Sequence, residues 1–294
     1  MGQLLSGKSL RASGLPLKRS GRLSTPKIVL TIAAGIVGFA MLLQLVSMLS
    51  ASLKIESEVF AYPIKWIPET IRWENYKEVW AGLYPFGRFY LNSVKVTVIS
   101  VTGMVLTSST AAYSFAKLRY RGRDQIFLLY LATIMIPPQV LLVPRFLMFR
   151  SMGILDTHWA LILPGIYVVF GVFLLRQFFT TIPNELSESA LMDGAGHFTI
   201  WSRIIMPLAK PALVSLVIVS FIWRWNDYQD PLIFLNTKEL FTIPVGMTLF
   251  IDEFDTRYSL IMAAGVSAVV PVIAVFIAGQ RFFVQGVITS GLKG

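Results

Sequence analysis

Apolar residues run through this chain in long blocks separated by short polar stretches, and the blocks set the expected elements. Residues 28–49 form the first, with only Gln44, threonine and serine as polar members. That is long enough for a membrane helix, and too long, with no clean cleavage motif, for a signal peptide. A second block covers 91–115. Its texture differs: Ser93, Thr97, Ser100, Gly103, Thr107 and Ser108 make it small and hydroxylated. In lipid such residues let helices approach closely and hydrogen-bond across, so this span is expected among other helices. A third block, 125–147, is interrupted by Pro137-Pro138 and Pro144. Adjacent prolines remove two N–H donors and forbid a straight helix. A break at that depth is tolerated where protein covers it or where it faces a cavity. A packing kink and a hinge beside a pathway both fit. The remaining blocks are 159–178, softened by Pro164-Gly165, then 211–228 and 260–278. The expected fold is all-α: a polytopic helical bundle of six transmembrane helices.

The longest polar interruption in the last two thirds of the chain lies between the fourth and fifth spans, at 182–210. It reads as two short helices with a glycine break. Asn184 is a candidate N-cap for a helix reaching Asp193, and Glu185 suits the positive end of that helix. Gly194 and Gly196 end it. A second helix is expected from about Phe198, with Phe198, Trp201 and Ile205 on one face, stopping at Met206 before Pro207. Pro211 then opens the fifth span. Asp193, an acid in a last turn, opposes the helix dipole and calls for a reason outside the helix.

Charge placement orients the spans. The sequence has 294 residues, 26 Lys and Arg against 16 Asp and Glu, and a formal charge of +10. Such an excess suits nucleic acid or cytoplasmic loops. Lys117, Arg119, Arg121 and Arg123 crowd one short loop, and the bases of 1–27 stand without an acid. Basic loops mark the cytoplasmic side. The 50–90 segment is charge-balanced and carries Trp66, Trp73 and Trp80, and 230–257 is net acidic. Both are expected outside, with both termini inside. No nucleic-acid partner is implied. Residues 1–27 read as a disordered basic cytoplasmic tail. It contains a formal phosphate-loop match, Gly2 to Ser9, which lacks the preceding strand and following helix the motif needs. Cysteine is absent, which excludes thiol chemistry and disulfides. The histidines are His158 and His197, with no H-E-x-x-H pair, so a membrane-embedded enzyme finds no catalytic or metal set. A secondary transporter would call for intramembrane acids or internal repeats, and none stands out.

Within the polar stretch, Glu188-Ser189-Ala190 is followed after three residues by Gly194, and after nine more by Ile204, with Met206 and Pro207 behind it. This resembles the E-A-A signature of ABC-importer permeases. Ser189 and Met206 depart from it, both by small or volume-conserving changes. The flanks resemble the carbohydrate branch, similar to the smaller of the two maltose-type permeases, over nearly the whole chain after the first span. The resemblance implies a single permease domain over 28–294, with its core at 91–281 and a coupling loop at 182–210, in the bacterial cytoplasmic membrane. It implies a second permease, an ABC ATPase dimer carrying ATP and Mg, an extracytoplasmic sugar-binding protein and a carbohydrate substrate. The chain itself would hold no cofactor and hydrolyse nothing. Glu188, Ala190, Asp193, Gly194, Ala195, Ile204 and Pro207 would couple it to the ATPase. A non-sugar solute is the alternative within the same family.

The end of the fifth span, Trp223-Arg224-Trp225-Asn226-Asp227-Tyr228, resembles the family's W-N-D-F. Arg224 and Asp227 are three apart and can pair. Aromatic faces beside an amide suit sugars. Trp225, Asn226 and Tyr228, with Trp223, are therefore the candidate substrate-pathway residues; an interfacial aromatic belt is the other reading.

Overall fold

The computed structural model describes residues 25–82, 84–251 and 256–291, with side chains from 28 to 281. Two compact units result, 1–46 and 47–294. Helix α1, Thr25–Ser52, accounts for the described part of the first unit and runs on into the second. The predicted basic tail and its Gly2–Ser9 match lie outside the described residues, apart from the positions that begin α1.

In the second unit a short helix α2, Glu74–Ala81, precedes α3, Phe86–Lys117. Next come α4, Arg123–Ala132, and α5, Leu142–Ser151. A broken pair follows, α6, Trp159–Ile166, and α7, Val169–Thr181. The polar stretch carries α8, Glu185–Met192, and α9, His197–Leu208. Then come α10, Lys210–Trp225, α11, Gln229–Phe234, and α12, Tyr258–Gly291. Among the described residues every regular element is helical.

Among the described residues, four helical segments are long and apolar enough to cross a membrane: Ile28–Ser52, Phe86–Lys117, Trp159–Thr181 and Tyr258–Arg281. A fifth appears if α9 and α10, bent by 80° at Ala209, are counted together. The expected third span is not one helix. Its two pieces, α4 and α5, are ten residues each. Each covers roughly 15 Å, half of a bilayer core of about 30 Å. The cause is Pro137-Pro138, which stands in the extended turn between them. The last helix also outruns its expected end, continuing past Arg281 to Gly291.

The small texture of α3 is used for packing. A Cβ on Gly171 of α7 would fall 2.5 Å from Ser108 Oγ, and one on Gly165 of α6 would fall 2.8 Å from Ser100 Oγ. Among the described residues the hydroxyls of Thr97, Ser100 and Ser108 are buried with no hydrogen-bond partner; Ser100 and Ser108 serve close approach instead. Thr107 does bond across, donating to the Ile166 carbonyl at 2.6 Å. Gly171→Val is expected to destabilise the protein by about 1–3 kcal/mol through overpacking. Thermal unfolding of the purified protein checks this, and Ser108→Gly in the same chain should recover part of the loss.

The predicted outer segments are tied together by polar contacts. Glu56 accepts the N–H groups of Tyr258 at 2.8 Å and Ser259 at 2.9 Å, capping the start of α12. Glu78 pairs with Arg257. Asp156, at φ 55°, accepts from the Thr237 hydroxyl at 2.5 Å, from the Thr237 N–H at 2.9 Å and from the Asn236 N–H at 2.8 Å. The hydroxyl and these N–H groups hold its carboxyl below the usual aspartate range. This tie therefore contributes at neutral pH and is lost only as pH falls through that lowered value.

Candidate functional site

The polar stretch folds as two helical arms around a tight turn. Helix α8 ends with Gly194 at φ 82°, the left-handed conformation that glycine takes without penalty. The Gly194 N–H bonds the Leu191 carbonyl at 3.0 Å, and the Ala195 N–H bonds the Ala190 carbonyl at 2.9 Å. That pair of bonds is a Schellman closure. Ala190 and Ala195, the residues it joins, are half-buried against the bundle core. Small side chains there let the turn lie flat on the bundle. Glu188 and Asp193 point outward, and their carboxylates have no side-chain partner among the described residues. Glu185, Glu188 and Met192 share one exposed face at helical spacing.

Several local expectations are corrected. Asn184 does not cap α8: its backbone is already helical, and its Oδ1 accepts from Lys117 Nζ at 2.9 Å instead. Gly196 does not end α8 but leads into α9 in an extended conformation. Helix α9 does not stop at Met206. It passes through Pro207 to Leu208 because residues 201–205 form a π turn, in which the Met206 N–H reaches the Trp201 carbonyl. A wider turn removes the clash between a proline ring and the carbonyl four residues earlier. The buried face is Ile200, Trp201 and Ile205; Phe198 is 75% exposed. Ile204 rests partly buried on the core, and Pro207 is exposed. Sequence reasoning passed over Met192, 88% exposed, and named Phe198 only for its helical spacing; these two are the most exposed of the large apolar side chains in the stretch.

A cavity of about 580 Å³ lies at the breaks in the helices, with Pro138, Pro164, Gly165 and Tyr167 on its wall. Apolar residues such as Val101 and Met104 share the wall with Trp223, Gln229 and four charged residues. Arg224 Nη1 donates to Asp227 at 3.1 Å, as the spacing predicts, and Arg145 Nη2 donates to Asp230 at 2.8 Å. The Asp230 N–H bonds Asp227 Oδ1 at 3.3 Å, linking the two pairs. Of the four candidate pathway residues, Trp223 alone is on this wall. Trp225 is 2% exposed: its ring stacks on Phe221 and its Nε1–H donates to the Ala268 carbonyl at 2.9 Å. Asn226 Nδ2 donates to the Ile222 carbonyl at 2.9 Å and closes α10. Tyr228 is exposed and off the cavity wall. Arg145 and Asp230 were missed. A charge inside an apolar block was the available signal for Arg145.

This arrangement has known counterparts. The sequence model described as binding-protein-dependent transport system inner membrane component matches residues 103–289. The chain belongs to that family. The permease is 31% identical over 270 residues to the arabinooligosaccharides transport system permease protein AraQ of Halalkalibacterium halodurans, covering 90% of this chain and 96% of that protein. It is 32% identical over 280 residues to the melibiose/raffinose/stachyose import permease protein MelC of Bacillus subtilis, covering 94% and 100%. The sn-glycerol-3-phosphate transport system permease protein UgpE of Yersinia pestis is 32% identical over 252 residues, covering 83% and 89%. The fold of this permease is similar to that of a chain in the crystal structure of a bacterial ABC transporter involved in the import of the acidic polysaccharide alginate. There the TM-score is 0.78 and the identity 26%, covering 87% of this chain and 95% of that one. The permease is thus an integral membrane transport component and not itself an enzyme.

Proposed function

We propose that this permease carries a sugar or oligosaccharide inward as one of two permease subunits of an ABC importer. An extracytoplasmic binding protein delivers the substrate. A separate ATPase dimer binds and hydrolyses ATP, and alternating access moves the sugar. The chain crosses the membrane six times in this reading, with the proline-broken α4–α5 segment as one crossing and both termini in the cytoplasm. The observation that carries the proposal is the exposed face of α8. Glu185, Glu188 and Met192 stand on an arm fixed to the bundle by the Gly194 turn, a surface shaped for another subunit. Closure of the ATPase dimer pushes this arm, and the bundle follows.

The sugar reading draws on the cavity. Trp223 offers an aromatic face, and Gln229 and the two Arg–Asp pairs offer donors and acceptors for hydroxyls. The names of the arabinooligosaccharide and raffinose relatives point the same way. An anionic solute is the second reading, favoured by the glycerol-phosphate relative.

The absence of native cysteine makes the test direct. Cysteine at Met192 or Ser189 should crosslink to a co-purifying ATPase and stay unlabelled by an impermeant reagent added outside intact cells. Labelling of both from outside would falsify the coupling role. For the substrate, uptake into proteoliposomes holding the whole importer is measured with neutral oligosaccharides and with glycerol phosphate. Trp223→Ala should raise the half-saturating sugar concentration about five- to ten-fold, as loss of roughly 1 kcal/mol or more of ring contact implies. Transport of glycerol phosphate alone would transfer the proposal to the second reading.

A further inference from the structure

Helix α3 is bonded to the coupling stretch at one end and to the opposite loop at the other. At its last turn, Lys117 Nζ donates to the Ile182 carbonyl at 2.5 Å and to Asn184 Oδ1 at 2.9 Å. One turn back, the Tyr113 hydroxyl meets His197 Nδ1 at 3.2 Å. These contacts reach both arms of the stretch, the entry to α8 and the start of α9. Near its first turn, Asn92 Nδ2 donates to the Glu239 carbonyl at 2.8 Å and to the Phe241 carbonyl at 3.0 Å. Ser93 Oγ accepts the Ile243 N–H at 2.8 Å. A Cβ on Gly246 would fall 2.2 Å from the Phe89 ring, so this loop lies directly on α3.

The other spans of the second unit each carry a proline: Pro137-Pro138 between α4 and α5, Pro164 in the α6–α7 pair, Pro207 and Pro211 in the α9–α10 pair and Pro271 in α12. Helix α3 contains no proline and continues for 32 residues. From Asn92 to Lys117 it spans about 38 Å. Rigid helices with fixed attachments at both ends are physical carriers of displacement between distant sites.

We propose that α3 is the rod that carries movement of the 182–210 stretch to the 239–246 loop on the far side of the bundle. Lys117 and Tyr113 are its inner positioning residues, and Asn92 and Ser93 its outer ones. The bent α9–α10 segment absorbs part of the same push at its 80° corner; α3 passes it on undivided. The inference rests on the importer reading given above, which supplies the push.

The test uses the full importer complex in lipid nanodiscs, with an environment-sensitive fluorophore on Lys238→Cys, an exposed site beside the outer attachment. Addition of ATP with vanadate should change its emission. Lys117→Gln should reduce that change about five-fold or more, the lower range of measured allosteric couplings. Lys117→Arg, which keeps the charge and the donors, should restore it. Asn92→Ala should have a similar effect. Mutations so far apart normally add; on a single rod the double variant of Lys117→Gln and Asn92→Ala should instead be no worse than either single one. Thermal unfolding of each complex separates these effects from misfolding. An unaltered emission change in Lys117→Gln, or fully additive losses, overturns the rod. If the parent complex holds no ATPase and gives no response to ATP, the importer reading itself fails and the rod falls with it.

Discussion

Gly194→Val is expected to abolish uptake while the complex still assembles. The residue sits at φ 82°, and a Cβ there would meet nothing within 4 Å in this chain. Any penalty is therefore conformational. A left-handed backbone costs an L-residue roughly 1–2 kcal/mol, and a β-branched one more. The turn can escape this cost by opening, which breaks the Ala195–Ala190 bond and swings α8 off the bundle. Asparagine tolerates the left-handed region, so Gly194→Asn should keep most of the transport that valine loses. Uptake into proteoliposomes and ATPase co-purification are the measurements. Equal loss from both substitutions would show that a partner surface presses on Gly194, and that conformation is not what selects glycine. Full activity in the valine variant would remove the turn from the mechanism.

Arg145→Met is expected to cost both stability and transport. The Arg145 and Asp230 side chains are 21% and 16% exposed. Asp230 is bonded through its N–H to Asp227, so removing Arg145 leaves two neighbouring acids with Arg224 alone to compensate them. Breaking one side of such a pair costs about 3 kcal/mol, because the remaining charge is uncompensated. Arg145→Met with Asp230→Leu removes both charges and should recover most of that stability. Uptake should stay low in the double variant if the pair also presents donors to a substrate. Thermal unfolding and uptake are read on the same preparations. A double variant that regains both would reduce the pair to a structural tie.

How much of this was legible in the sequence follows from the range of the interactions involved. Block lengths and the small residues of α3 report local composition, and they led directly to its central place. Gly194 was legible because a helix stop is encoded within a few residues. The pairing of Arg224 with Asp227 was legible for the same reason. Trp225 was not, because assigning it a face assumed that the helix ran on to Tyr228. The helix ends at Trp225, and Asn226 turns back to close it. After that turn, Trp225 and Tyr228 no longer share a helical face. Asn184 has a good capping side chain, but Lys117 arrives from 67 positions away and takes it. Arg145 joins Asp230 across 85 positions. No periodicity announces partners at such separations.

The π turn at Trp201–Ile205 also bears on how this stretch can change over evolution. In a regular α-helix Ile200 and Ile205 would point about 140° apart. The wider turn brings both onto the buried face, as if one extra residue had been slipped into the helix. Deleting Ser202 would restore a regular helix, swing Phe198 and the Gly194 turn around the axis, and return the proline ring to its collision. Substitutions here cost what the lost side chain contributed, whereas a change in length displaces everything upstream. The stretch should therefore tolerate substitution more readily than insertion or deletion.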